Sequence, residues 1–154
     1  MHLFYLRNMY QKNLLVVPDA LTLDGTPVDL RKVKTPTYML STRDDHIAPW
    51  HSTYKATQLF KGNTHFVLAA SGHIAGVVNP PSKEKYCFWT NDKLAKTADA
   101  WLEQAEEHAG SWWGNWQDWI ANFTDGEIPA RDPKKGKLKP IEPAPGRYVK
   151  VQVL

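Results

Sequence analysis

Two short polar stretches of this 154-residue chain carry residue types that could do acid–base chemistry: Arg43-Asp-Asp-His-Ile and Ser71-Gly-His-Ile-Ala-Gly. Each follows a short, mostly apolar run, Thr37 to Leu40 before the first and Thr64 to Ala70 before the second. Brief apolar runs of this kind suit strands buried on both faces. An acid, Asp45, therefore stands just past one strand, and a histidine, His73, stands just past the next. Histidine can take the proton of a nucleophile, while a carboxylate fixes its tautomer and stabilises the imidazolium. Both side chains must then sit at the carboxyl ends of neighbouring parallel strands, where loops can bring them together.

Other residues compete for these roles. Asp44 and His46 share the first loop with Asp45. Asp44 also fits a solvated turn residue with Arg43 as partner, and His46 fits a cap of the next helix or a contact beside a pocket. A metal set of Asp44, Asp45, His46 and His51 matches no common ligand spacing, so no metal is expected. Ser41 and Ser71 lack the G-x-S-x-G elbow that exposes a nucleophilic hydroxyl. Cys87 lies between Tyr86 and Phe88 without flanking glycines, and it follows His73 in the chain; it reads as a small buried apolar residue. The acid and the base are present, and a nucleophile is not. Trp50 and Trp89 flank the two loops and, with His46, are the candidates for a substrate-pocket wall.

These side chains need a scaffold. Pro49 suits the first turn of a helix, and Trp50, Tyr54 and Leu59-Phe60 give that helix an inward face before Gly62 ends it. Strand, helix, strand makes a βαβ unit, and acid before histidine is the chain order of an α/β-hydrolase. Upstream, apolar residues between Leu3 and Leu15 recur at helical spacing and predict an amphipathic helix. It starts abruptly after Met1-His2 with no cap, as a chain cut from a longer one would. Asp24-Gly25 marks a turn in the connector 16–34. Downstream, Tyr86-Cys-Phe-Trp-Thr-Asn-Asp reads as a loop or an irregular strand. A helix is expected from Thr97, its N-cap, to His108. A second, capped by Ser111, carries Trp112, Trp113, Trp116, Trp119, Ile120 and Phe123 at helical spacing, which more often marks core than a ligand platform. From Thr124 on the chain reads as a Pro- and Lys-rich tail, with Tyr148 to Leu154 alternating as an edge strand would. The expected organisation is 1–20, 21–123 and 124–154: an initial helix, an α/β core with an incomplete parallel sheet and flanking helices, and the tail.

Composition narrows the function classes. Seven Trp and 42% hydrophobic residues are ample for a core. The net charge is only +3, and the one basic cluster, Lys134, Lys135, Lys137 and Lys139, has no interleaved aromatic residue. Stacking platforms for nucleic acid are thus missing, and no nucleic-acid partner is expected. A single cysteine excludes an internal disulfide and fits a reducing compartment. The apolar runs are too short to span a bilayer, and the N-terminus lacks the pattern of a signal peptide. A cytoplasmic protein is the expectation.

Several motifs carry more than spacing: Leu6-Arg-Asn-Met-Tyr-Gln-Lys-Asn-Leu-Leu, Ser41-Thr-Arg-Asp-Asp-His-Ile-Ala-Pro-Trp, Ser71-Gly-His-Ile-Ala-Gly-Val-Val-Asn-Pro-Pro, Tyr86-Cys-Phe-Trp-Thr-Asn-Asp, Gly110-Ser-Trp-Trp-Gly-Asn-Trp and Ile141-Glu-Pro-Ala-Pro-Gly-Arg-Tyr-Val-Lys. In this order they resemble the C-terminal portion of poly(3-hydroxyalkanoate) synthases, most closely class I, over essentially the whole chain. The resemblance implies an α/β-hydrolase fold whose first 20 residues end a cap region. It implies an acyltransferase that polymerises (R)-3-hydroxyacyl-CoA through a cysteine thioester and releases CoA. Coenzyme A is then part of the substrate, and no resident cofactor is implied. By motif match Asp45 is the triad acid and His73 the base. His73 would activate the thiol, and Asp45 would orient His73 or help deprotonate the attacking 3-hydroxyl. The implied partners are the hydroxyacyl-CoA, the nascent polyester, the surface of polyester granules in the cytoplasm and a second synthase subunit. The family's nucleophile belongs to a G-x-C-x-G elbow, and no such motif occurs here. The chain is accordingly expected to be a fragment that is inactive by itself. A non-catalytic remnant that binds granules or an intact synthase is the alternative, and a generic serine esterase the weaker third.

Overall fold

The computed structural model describes residues 1–152 and divides into two compact units, Met1–Asn122 and Phe123–Leu154. The first unit is built on a four-stranded sheet in the order β3-β4-β5-β6, where β3 is Thr37–Thr42, β4 Thr64–Ala69, β5 Cys87–Thr90 and β6 Glu106–Ala109. Ahead of it, β1 (Leu21–Leu23) and β2 (Thr26–Val28) form a separate antiparallel hairpin. Its turn is Asp24-Gly25, with both residues at positive φ (46° and 73°), a geometry that Asp and Gly tolerate best.

The β3–β4 pair is parallel, with Thr37 opposite Thr64 and Thr42 opposite Ala69. A parallel pair needs a crossover, and α2 (Trp50–Tyr54), continued by a 3-10 turn at Lys55–Gln58, supplies it. The other two pairings are antiparallel, so the sheet is mixed: the β3–β4 pair supplies the expected incomplete parallel part of an α/β fold, and the antiparallel half was not foreseen. Between β4 and β5 the described chain offers only turns and the short 3-10 segment Pro81–Lys83, so it doubles back instead of crossing over. Residues 86–92, left open between loop and strand, contribute β5.

The predicted helix 97–108 is half right. Thr97 caps it, accepting the Ala100 amide at 3.3 Å, but α3 spans only Ala98–Leu102. Glu106–Ala109 is strand β6, because pairing with β5 outbids local helix preference. Three cross-links accompany that pairing. The Trp89 indole donates to Glu107 at 3.0 Å, Thr90 Oγ1 lies 2.8 Å from His108 Nε2, and Phe88 stacks on His108 at 4.9 Å.

Strand β4 alternates between two packed faces, as period-two geometry requires. Phe66 and Leu68 join Trp50, Tyr54, Trp89, Ala98 and Trp101 in one core cluster. Phe66 meets Tyr54 and Trp101 edge to face at 5.0 Å each, the arrangement favoured by ring quadrupoles. Val67 and Ala69 face the other way, with Phe88, Tyr38, Leu40 and Trp112. On this side lies α4 (Trp113–Ala121), with the Ser111 hydroxyl accepting the Trp113 amide at 3.2 Å. None of its residues is fully buried, so the reading of its tryptophan pattern as core holds only in part: Trp113 and Trp116 are 37% and 40% exposed.

The initial helix also differs from expectation. Its first turn, α1 (His2–Tyr5), widens into π-type turns at Leu6–Gln11 and stops before Asn13, which is left-handed. Leu3, Tyr5, Leu6 and Tyr10 are exposed. In the second unit the described residues form no strand. Tyr148–Lys150, expected to enter an edge strand, is a 3-10 turn, and the last two residues of that expectation lie outside the described residues.

Candidate active site

The parallel register fixes the geometry of the site. Hydrogen bonding between β3 and β4 continues past the strand ends, from Arg43 N–H to Ala69 O at 2.8 Å and from Asp44 N–H to Ser71 O at 3.0 Å. The two loops therefore leave the sheet side by side. Their side chains meet: His73 Nδ1 lies 2.7 Å from Asp45 Oδ2, a short, charge-assisted bond. With Nδ1–H donated to the carboxylate, the imidazole is the tautomer whose Nε2 can accept a proton, and Nε2 has no hydrogen-bond partner among the described residues.

Burial divides the pair. The Asp45 side chain is 8% exposed and that of His73 is 48% exposed, so the acid is enclosed and the base faces outward. Asp45 is also held from its own loop, because Oδ1 accepts the amides of Ile47 at 2.8 Å and Ala48 at 2.9 Å. This is the local turn that Asp favours, two and three residues ahead of its own backbone. The Ala48 amide above all, then the His73 ring, hold the Asp45 carboxyl at about 2, well below the usual 3.8; burial pushes the other way and the Ile47 amide assists. Asp45 is thus an anion across the working range of a histidine base.

On the second loop the sharp exit from β4 is made by Ser71, at φ 72°, rather than by the adjacent Gly72. The loop then turns on itself, with Gly76 N–H bonded to Gly72 O at 3.1 Å and Val78 N–H to Ile74 O at 2.8 Å. Gly76 is required for packing: a Cβ there would collide with the Ala70 carbonyl and the Thr42 side chain at the ends of β4 and β3.

The remaining candidates are placed as follows. Asp44 and His46 are exposed, and Asp44 contributes its backbone to the loop junction. His51 is turned to Asp99, 2.9 Å away, and stacks beside Trp50. Trp50 and Trp89 are 5% and 8% exposed and pack in the core, so they underlie the loops rather than line an open wall. The guanidinium of Arg43 lies 5.1 Å from the Trp89 ring centre, a cation–π contact not foreseen from sequence. Ser41 is buried in β3. Cys87 is half-buried against the core; burial raises its thiol pKa and Glu107 adds to this, with Arg43 in partial opposition. A thiol so placed is a poor nucleophile. Sequence reasoning missed the backbone amides that hold Asp45, for which an Asp ahead of Ala48-Pro49 was a readable turn signal. It also missed two indole contacts to the second loop, from Trp112 and Trp113, for which it held no signal beyond the tandem tryptophans.

An α/β sheet with a carboxylate–imidazole pair at the carboxyl ends of two parallel strands is the arrangement of the α/β-hydrolases. No protein-family model matches the chain. It is 47% identical over 150 residues to the poly(3-hydroxyalkanoate) polymerase subunit PhaC of Cupriavidus necator, a match covering 97% of this chain and 26% of that protein. With the subunit of the same name from Rhizobium etli the identity is 49% over 148 residues, covering 96% of the chain and 23% of the relative. With the poly(3-hydroxyalkanoate) polymerase of Methylorubrum extorquens it is 44% over 152 residues, covering 98% and 25%. The chain belongs to the poly(3-hydroxyalkanoate) polymerase family, corresponds to its C-terminal part, and spans about a quarter of the length of these relatives.

Proposed function

We propose that this chain supplies the acid and the base of an acyltransferase that polymerises (R)-3-hydroxyacyl-CoA, while the nucleophile comes from protein outside these 154 residues. The observation that carries the reading is the 2.7 Å bond from His73 Nδ1 to an enclosed, ionised Asp45. His73 Nε2 takes the proton of a cysteine thiol, and the thiolate attacks the thioester carbonyl of the hydroxyacyl-CoA. The C–S bond to coenzyme A breaks, the acyl group passes to the enzyme sulfur, and the imidazolium returns its proton to the departing CoA thiolate. Exchange of one thioester for another is nearly isoenergetic, so the acyl group stays activated for attack by the next 3-hydroxyl. Asp45 stabilises the imidazolium and holds His73 in the productive tautomer; help in deprotonating the 3-hydroxyl is its second role. No resident cofactor is required, since coenzyme A arrives with the substrate. His46, exposed beside Asp45, is the nearest of the expected substrate contacts, and Trp50 and Trp89 shape the site from beneath.

Two features favour a nucleophile from elsewhere. The chain's sole cysteine, Cys87, is half-buried against the core, and that burial raises its thiol pKa. The edge of β3 away from β4 has no partner among the described residues, which leaves room for a further strand. The polypeptide alone should therefore release no CoA from 3-hydroxybutyryl-CoA. Substituted for the C-terminal quarter of the Cupriavidus necator polymerase, it should support polymerisation. In that chimera His73→Gln should lower the rate by about a thousandfold or more, and Asp45→Asn should also lower it steeply. Wild-type rates for His73→Gln would refute the assignment. A second reading, a non-catalytic partner of polyester granules or of a synthase subunit in the cytoplasm, draws on the exposed apolar residues Leu3, Tyr5, Leu6 and Tyr10. A chimera that folds and stays inactive, with the isolated chain sedimenting with granules, would favour it.

A further inference from the structure

Helix α4 contributes no group to the Asp45–His73 pair, yet the indoles of its first residue, Trp113, and of Trp112 just before it reach the loop that carries the histidine. Trp112 Nε1–H donates to Gly76 O at 3.2 Å and Trp113 Nε1–H donates to Val77 O at 3.0 Å. The rings lie 6.4 Å apart at 74°, so their N–H groups address successive carbonyls. Those carbonyls lie at and just past the end of the turn closed by Gly76 N–H on Gly72 O, which has His73 inside it.

The helix itself is anchored elsewhere. Asn115 Oδ1 accepts the Tyr38 hydroxyl at 2.9 Å and lies 3.2 Å from His65 Nε2, while Trp119 meets Tyr38 edge-on at 5.4 Å. Tyr38 and His65 are register partners on β3 and β4. The histidine loop is thus held between two supports, the strand ends against which Gly76 is pressed and a helix docked on the same strands. Apart from its own backbone turns and the buried Gly76 and Asn79 it has little else: Ile74 and Val78 are 71% and 63% exposed, so their side chains contribute little to its order.

We propose that Trp112 and Trp113 are positioning residues, whose indole N–H groups hold the loop so that His73 Nδ1 stays within reach of Asp45. The functional consequence rests on reading His73 as the base; the geometric claim does not. Phenylalanine keeps a smaller aromatic ring at each position and removes the donor. In the 154-residue chain, Trp112→Phe/Trp113→Phe should speed hydrogen exchange of the Gly76, Val77 and Val78 amides by about tenfold. The Ile47 and Ala48 amides, held by Asp45 itself, should keep their rates. The downfield proton of the His73–Asp45 bond and the nitrogen shifts that report the His73 tautomer should broaden or move, with the melting temperature changed little. Unchanged exchange at 76–78 together with an unchanged His73 proton would overturn the proposal. So would uniform acceleration that includes the β4 amides, since the indoles would then serve global stability. If the double variant does not fold, Trp113→Phe alone, at an already half-exposed indole, should free Val77 and Val78. Wild-type exchange there would overturn the proposal equally. These rates bear on the clamp alone, and the His73→Gln chimera bears on the base alone, so either can fail without the other.

Discussion

The two loops that meet in the candidate site are ordered by different means. The acid loop holds itself: Asp45 accepts the amides of residues two and three positions on, and Trp50, just beyond, is sunk in the core. The base loop has local turns of its own but also borrows order, since the carbonyls of Gly76 and Val77 are bound by indoles 36 residues away. A local bond costs little chain entropy, whereas a distant one forms only after α4 has docked. The acid is therefore preorganised, and the histidine's place is conditional on the tertiary fold. The faces of the sheet repeat this contrast. One is an aromatic cluster around Phe66 and Trp101, both fully buried. The other has a smaller apolar cluster and adds the directional bonds of Tyr38, Asn115 and His65.

The difference can be broken at graded cost. Trp101→Ala empties the aromatic cluster that holds Trp50 and Trp89 and should lower the unfolding free energy by about 3–5 kcal/mol in urea titration, abolishing the contrast by destabilising both loops. Gly76→Ala should cost about 1–3 kcal/mol, because its methyl group meets the Ala70 carbonyl and the Thr42 side chain. Its effect should be one-sided: the His73 proton resonance disappears while the Ile47 and Ala48 amides keep their shifts. Asp45→Asn tests the acid loop. A carboxyl held at about 2 contributes stability that is fully present above its ordinary value of 3.8 and is lost as the pH falls toward about 2. The wild-type chain should thus lose stability across that window by acid titration, and the Asn variant should lose less. Ser71→Gly, which relieves a left-handed serine at the exit of β4, should have the smallest effect, a gain of at most about 1 kcal/mol in thermal melts. A loss there would mean that the serine hydroxyl, not the backbone, sets the turn.

Much of the site was legible because its signals are local. Short apolar runs mark β3 and β4, a proline opens the crossover helix, and polar loops with an acid and a histidine follow the strands. Register does the rest, since Thr42 opposite Ala69 brings residues three and four positions further on within hydrogen-bond reach. Thr97 could be read as a cap because capping involves only the next few residues. The β5–β6 hairpin was half hidden. Glu106–Ala109 continues a helical pattern, and only its partner strand made it extended.

By itself, then, the sequence determined the family, and it picked out the candidate acid and base and their order, since these depend on residue identity and short spacing. Tertiary structure decided the antiparallel half of the sheet, the burial of Trp50 and Trp89 beneath the loops, and the tryptophan support of the histidine loop. Each of those depends on groups far apart in the chain, whose pairing gains free energy only once the intervening elements have packed.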